Sequence, residues 1–135
     1  MASGGPERFH MNKIAIIATG LSLVAGISRA ADKVDFEKDV APILAEHCIG
    51  CHGEEKQKGK LRLDGKADAF KGGKSGHAAV VAGDLGKSEI VKRVTLPKDN
   101  DELMPPEGGP LPEKKVAVLK SWVEGGANWP DGFVV

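Results

Sequence analysis

The chain has 135 residues, 41% of them apolar, and its 19 basic and 19 acidic side chains cancel. That length gives room for one domain, the apolar share is that of a globular fold, and nothing in the balanced charge resembles the strongly basic stripe by which proteins hold nucleic acid. Aromatics are only 4% and tyrosine is lacking, so a core of this size is short of bulky side chains and would gain from a large apolar cofactor.

The first element in chain order is a leader. Met11-Asn12-Lys13 opens a short basic region, Ile14 to Ile27 is almost free of charge, and Ser28 and Ala30 put small residues at a cleavage position. This is the pattern of a secretory signal peptide. Its apolar stretch is shorter than the roughly 20 residues that cross a bilayer. Residues 1–30 are therefore expected to be removed on export to the periplasm or an equivalent compartment, with residues 1–10 an upstream extension. The competing reading keeps them as a membrane anchor. Cleavage takes away Arg8, Lys13 and Arg29 against Glu7, leaving 16 basic and 18 acidic residues in a near-neutral domain, residues 31–135, with no stable membrane span.

Behind Asp35, an acceptable N-cap, Phe36, Val40, Ile43 and Leu44 recur at helical spacing and lead directly to His47-Cys48. Pro42 would cost a hydrogen bond in a helix interior, which favours Asp39 as the cap and Pro42 in the first turn. Residues 53–86, rich in Gly and Lys, read mostly as loop, and the run Lys56-Gln57-Lys58-Gly59-Lys60 as a solvated part of it. Ser88 followed by Glu89-Ile90-Val91-Lys92-Arg93-Val94 predicts a short capped helix with Ile90, Val91 and Val94 inward, stopped before Pro97. Lys98 to Pro112 is a Pro/Gly-rich loop with Met104 in its middle. A last helix then carries Val116, Leu119, Trp122 and Val123 on one face, with Pro112 in its first turn and Gly125-Gly126 as its stop.

The residues that carry chemistry are Cys48-Ile49-Gly50-Cys51-His52. The C-x-x-C-H spacing marks covalent attachment of haem c. Two intervening residues let both thiols reach the two vinyl groups of one porphyrin, and the adjoining histidine comes to rest beneath the iron. Two rivals use the same residues. A dithiol site of the thioredoxin kind would follow a buried strand in a βαβ pattern, whereas here the preceding residues are helical. A zinc site could draw on Cys48, Cys51, His52 and His77, but adjacent ligands such as Cys51 and His52 pair poorly on one tetrahedral ion.

Met104 is the one methionine left beyond the leader, and a thioether opposite a histidine is a ligand pair that raises the potential of haem iron. Filling a core gap is the commoner use of methionine. Met104, however, lies in a loop, and Pro105 restricts the residue before it to extended conformations, which directs its side chain. His47 is expected to face solvent or a haem propionate. His77 reads as a surface residue, with a bis-histidine site as the alternative.

Taken together, Asp39-Val40-Ala41-Pro42-Ile43-Leu44, Cys48-Ile49-Gly50-Cys51-His52-Gly53, Lys58-Gly59-Lys60-Leu61-Arg62-Leu63-Asp64, Leu103-Met104-Pro105-Pro106 and Leu119-Lys120-Ser121-Trp122 resemble class I cytochromes c, and more narrowly the planctomycete-type cytochrome c domain, from about Phe36 to Pro130. The resemblance implies an all-α fold with long loops, in which the first and last helices cross around one covalent haem and Phe36 and Val40 pack near Leu119 and Trp122. It also implies His52 and Met104 as the axial iron ligands. Leu61, Leu63, Ile90, Val94, Leu103 and Leu111 are candidates for the apolar wall. The expected function is single-electron transfer between redox protein partners, by a carrier and not an enzyme. The alternative is a haem enzyme or gas sensor with an open sixth coordination position.

Overall fold

The computed structural model describes residues 4–5 and 33–135, so the leader, apart from two glycines, lies outside the described residues. The fold is all-α. Its elements are a π-helical turn (Phe36–Val40) running into α1 (Ala41–His47), a 3-10 turn (Lys58–Lys60), α2 (Lys66–Lys71), α3 (Glu89–Val94) and α4 (Glu113–Glu124). No strand occurs among the described residues. Isolated bridges join His52 to Gln57 and Gly65 to Val134, and no helix among them is long and apolar enough to cross a membrane.

The helical stretch begins at Asp35 and not at Asp39. The Asp35 carboxylate accepts from the Lys38 N–H at 3.0 Å, and Asp39 returns the favour by accepting from the Asp35 N–H at 2.8 Å. Two backbone donors that a helix start leaves over are thereby satisfied. The proline is tolerated because the backbone changes register just before it. The Ala41 N–H reaches back to the Phe36 carbonyl, and Pro42 follows in the first turn of α1, where a missing N–H costs least.

Residues 53–86 depart from the loop expected there, since α2 lies within them. Gly65 and Gly72 bound it, and it buries Ala69. The Ala69 carbonyl accepts from the N–H groups of both Ala79 and Val80, at 3.1 and 3.2 Å, which docks the segment before α3 onto α2. Ser88 precedes α3 as expected but does not cap it with its side chain. Its buried hydroxyl accepts from the Val81 N–H at 2.9 Å and lies 2.8 Å from the Asp84 carbonyl, closing the preceding loop instead.

In α4, Leu119, Trp122 and Val123 are buried and Val116 half-buried. Pro112 stands just before the first turn, and Gly125 ends the helix. The scarce aromatics are concentrated where α4 meets the π turn: the Phe36 ring lies 5.5 Å from Trp122, 4.3 Å from Trp129 and 5.5 Å from Phe133, centroid to centroid. Both indole N–H groups find carbonyl partners, Trp122 at Asn128 (2.9 Å) and Trp129 at Phe133 (3.0 Å). Large rings can therefore be buried here without stranding a donor. The tail that carries Trp129 and Phe133 is thus part of the core, and the packing of Phe36 near Trp122 is as the resemblance implies.

Candidate functional site

The cysteine motif forms where α1 runs out. The Cys48 and Ile49 N–H groups both donate to the Leu44 carbonyl, at 2.9 and 3.0 Å, and the Cys48 carbonyl accepts from the Cys51 N–H at 3.2 Å and the His52 N–H at 3.0 Å. The chain is thereby wound into one tight turn bearing Cys48, Cys51 and His52. Gly53 completes it: a Cβ there would come within 2.7 Å of the Ile49 carbonyl and side chain, so only glycine allows the approach.

The 3-10 turn closes over this loop. Lys58 donates its N–H to the Cys51 carbonyl at 2.9 Å, and its own carbonyl lies 3.0 Å from His52 Nδ1. A backbone carbonyl can only accept, so Nδ1 carries the proton and Nε2 is the ring's free lone pair. Nε2 has no hydrogen-bond partner among the described residues. The imidazole is thus held in the tautomer a metal ligand needs, with its orientation fixed from behind.

Both thiols are free and half-buried. Burial pushes the Cys48 thiol up to about 11, so it stays protonated at neutral pH. That is the opposite of the electropositive setting that makes a reactive thiolate in a dithiol redox site. Among the described residues no three His, Cys, Asp or Glu side chains gather to hold a metal ion, so Cys48, Cys51, His52 and His77 do not assemble as a zinc set. Two free thiols and an imidazole with Nε2 unpaired among the described residues, all on a single turn, fit a covalently attached haem.

Met104 comes from a separate element. The loop after α3 is folded by its own hydrogen bonds, Asn100 N–H to the Pro97 carbonyl, Leu103 N–H to the Asn100 carbonyl (both 3.0 Å) and Glu102 N–H to Asn100 Oδ1 (2.8 Å). The Met104 N–H then donates to the Arg93 carbonyl in the last turn of α3, at 3.1 Å. Met104 is half-buried, beside buried Leu103, and the peptide to Pro105 is cis. Of the proposed wall residues, Leu63, Ile90, Val94, Leu103 and Leu111 are buried and Leu61 is half-buried.

Neither His47 nor His77 takes part in this arrangement. His47 is half-buried and meets an ion pair instead of open solvent: Lys115 Nζ lies 2.7 Å from its Nε2 and 2.6 Å from Glu46, tying the end of α1 to the first turn of α4. His77 is exposed, its N–H bonded to Ser75 Oγ. The lysines at 56, 58 and 60 are exposed, as expected of a solvated loop. Sequence reasoning missed the Lys58 carbonyl and Arg93. A backbone acceptor has no sequence signal, whereas the Glu89 and Arg93 pair, four residues apart on a helix, was open to reading.

The family model for planctomycete cytochrome C matches residues 48–108, a span that runs from the first cysteine through the methionine loop. This part of the chain is similar to planctomycete-type cytochrome c domains. The matched family implies covalently bound haem, and the spacing of Cys48 and Cys51 before His52 suits that attachment. The matched part of the chain is the turn bearing Cys48, Cys51 and His52, α2, α3 and the methionine loop, while the π turn, α1 and α4 lie outside it. No curated protein and no solved structure matches the chain.

Proposed function

We propose that this cytochrome is an exported single-electron carrier with one haem c, held through thioethers to Cys48 and Cys51 and ligated by His52 and Met104. The observation that carries this reading is the His52 ring, whose Nδ1 is occupied by the Lys58 carbonyl so that Nε2 is presented as a ligand, on the same turn as two free thiols. When bound, haem supplies a one-electron iron couple. The chain's own residues do the rest. Cys48 and Cys51 fix the group to the turn, and Lys58 fixes the imidazole. The buried side chains of Leu63, Ile90, Val94, Leu103 and Leu111 keep water away. Met104 would hold the iron together with His52, supplying a soft sulfur ligand that favours the reduced state and raises the potential. With His52 and Met104 both holding the iron, no site would be left on it for a substrate, and the protein would carry electrons between redox partners without catalysing a further reaction.

The optical spectrum of the oxidised protein tests the ligand set. A weak sulfur-ligand band at the red edge, lost in Met104→Ala, and no rapid binding of carbon monoxide to the reduced wild type are expected. Fast carbon monoxide binding would instead assign the chain to the sensors or haem enzymes with an open site. Export is tested separately by the N-terminus of the secreted protein, expected at Ala31.

A further inference from the structure

We propose that Arg93 is the positioning residue for Met104, gripping the methionine loop through its main chain and its side chain together. The inference deepens the reading of Met104 as an iron ligand and rests on it. Arg93 lies in the last turn of α3, where carbonyls have no partner within the helix, and its carbonyl takes the Met104 N–H at 3.1 Å. Its guanidinium points the same way: Nε donates to Glu89 Oε1 at 2.8 Å, and Nη1 lies 3.5 Å from Glu102, two residues before Met104. Glu89 is largely shielded, with 17% of its side chain exposed, so it anchors the guanidinium and leaves the other arm for the loop. A planar fork can serve two carboxylates at once in this way, which a lysine ammonium at the end of a flexible stem does poorly.

The apolar face of α3 buries Ile90, Val91 and Val94. One six-residue helix thus holds both part of the apolar wall and the loop that delivers the ligand, and Arg93 is the contact that makes them move as one. Arg93 itself touches no reacting atom. It acts by keeping Met104 in place.

The test is an imidazole titration of the oxidised holoprotein. Imidazole takes the sixth position only in molecules where Met104 has left it, so its apparent affinity reports that fraction directly. Arg93→Met is expected to bind imidazole about tenfold more tightly than wild type, a change of about 1.4 kcal/mol. It should also show a weaker sulfur-ligand band, at unchanged covalent haem content. Arg93→Lys should recover part of the loss. Arg62→Met is the control: it removes an ion pair of comparable geometry, Arg62 to Asp64 at 2.9 and 2.6 Å, away from the methionine loop, and should leave imidazole affinity unchanged even where it lowers stability. If Arg93→Met fails to fold, Glu102→Gln cuts only the outer contact and should move the affinity in the same direction by less. Unchanged affinity in the Arg93 and Glu102 variants, or an equal shift in Arg62→Met, overturns the proposal. A wild-type protein with no sulfur-ligand band overturns it by a different route, through the Met104 reading itself.

Discussion

Replacing Phe36 with alanine removes the ring around which the two ends of the domain are packed. Phe36 is only 3% exposed and lies within 5.5 Å, centroid to centroid, of Trp122, Trp129 and Phe133. Truncating a buried phenylalanine costs about 3 to 5 kcal/mol, made up of lost transfer free energy and an unfilled cavity. The two indoles are pinned by their own hydrogen bonds to Asn128 and Phe133 and cannot readily swing in to fill the space, which places the expected loss near 4 kcal/mol, in the middle of that range. For a domain of this size the melting temperature should fall by roughly 20 °C, at about 4 to 8 °C per kcal/mol. Thermal unfolding of the holoprotein followed by far-ultraviolet circular dichroism measures this. Phe36→Leu, which keeps most of the volume, should cost less than about 1.5 kcal/mol. A loss below about 1 kcal/mol for Phe36→Ala would refute the claim that this cluster joins the π turn to α4, since so small an effect belongs to surface positions.

Gly72→Ala should be among the most damaging substitutions outside the core. Gly72 has φ +83°, and a Cβ there would collide with the His77 carbonyl, so left-handed strain and overpacking combine to about 3 kcal/mol by denaturant unfolding. Asp64→Asn tests an electrostatic contact. Hydrogen bonds from the Arg62 guanidinium hold the buried Asp64 carboxyl below its usual range. The folded pKa is thus depressed, the contribution is present above the unfolded value of about 4, and it disappears as pH falls through the folded value. The variant should be less stable than wild type at pH 7, and the difference in denaturant midpoint should shrink as the pH is lowered below about 4. A difference that stays constant over that range would show that the carboxylate's charge is not what holds Arg62.

Much of this was written in the sequence where the signal is local. The C-x-x-C-H spacing, the apolar faces of α3 and α4 and the closing Gly125 all follow from short-range rules, and the helices stand where those rules put them. The start of the first helical stretch was misread because Pro42 argues against a helix only if the helix is regular, and the π turn removes that condition. Helix α2 was invisible because Lys66 to Lys71 offers only Ala67, Ala69 and Phe70 as apolar residues between glycines, and its support comes from the distant Ala79 and Val80 N–H groups. Ser88 has the right residue type for a side-chain cap, yet its hydroxyl turns to the loop at 81–84, where burial makes a partner obligatory. The contacts that orient the candidate ligands, the Lys58 carbonyl behind His52 and the Arg93 carbonyl beneath Met104, are main-chain acceptors that any residue could supply. Only the fold reveals which ones do.

The attachment chemistry is the central claim, and the intact mass of the protein after acid-organic extraction tests it most directly. Protein secreted from a host able to mature c-type cytochromes should keep its colour through extraction and weigh one haem more than the polypeptide, while Cys48→Ser/Cys51→Ser should emerge colourless at the polypeptide mass. A wild-type protein that loses all its haem on extraction, or never acquires any, would contradict the account.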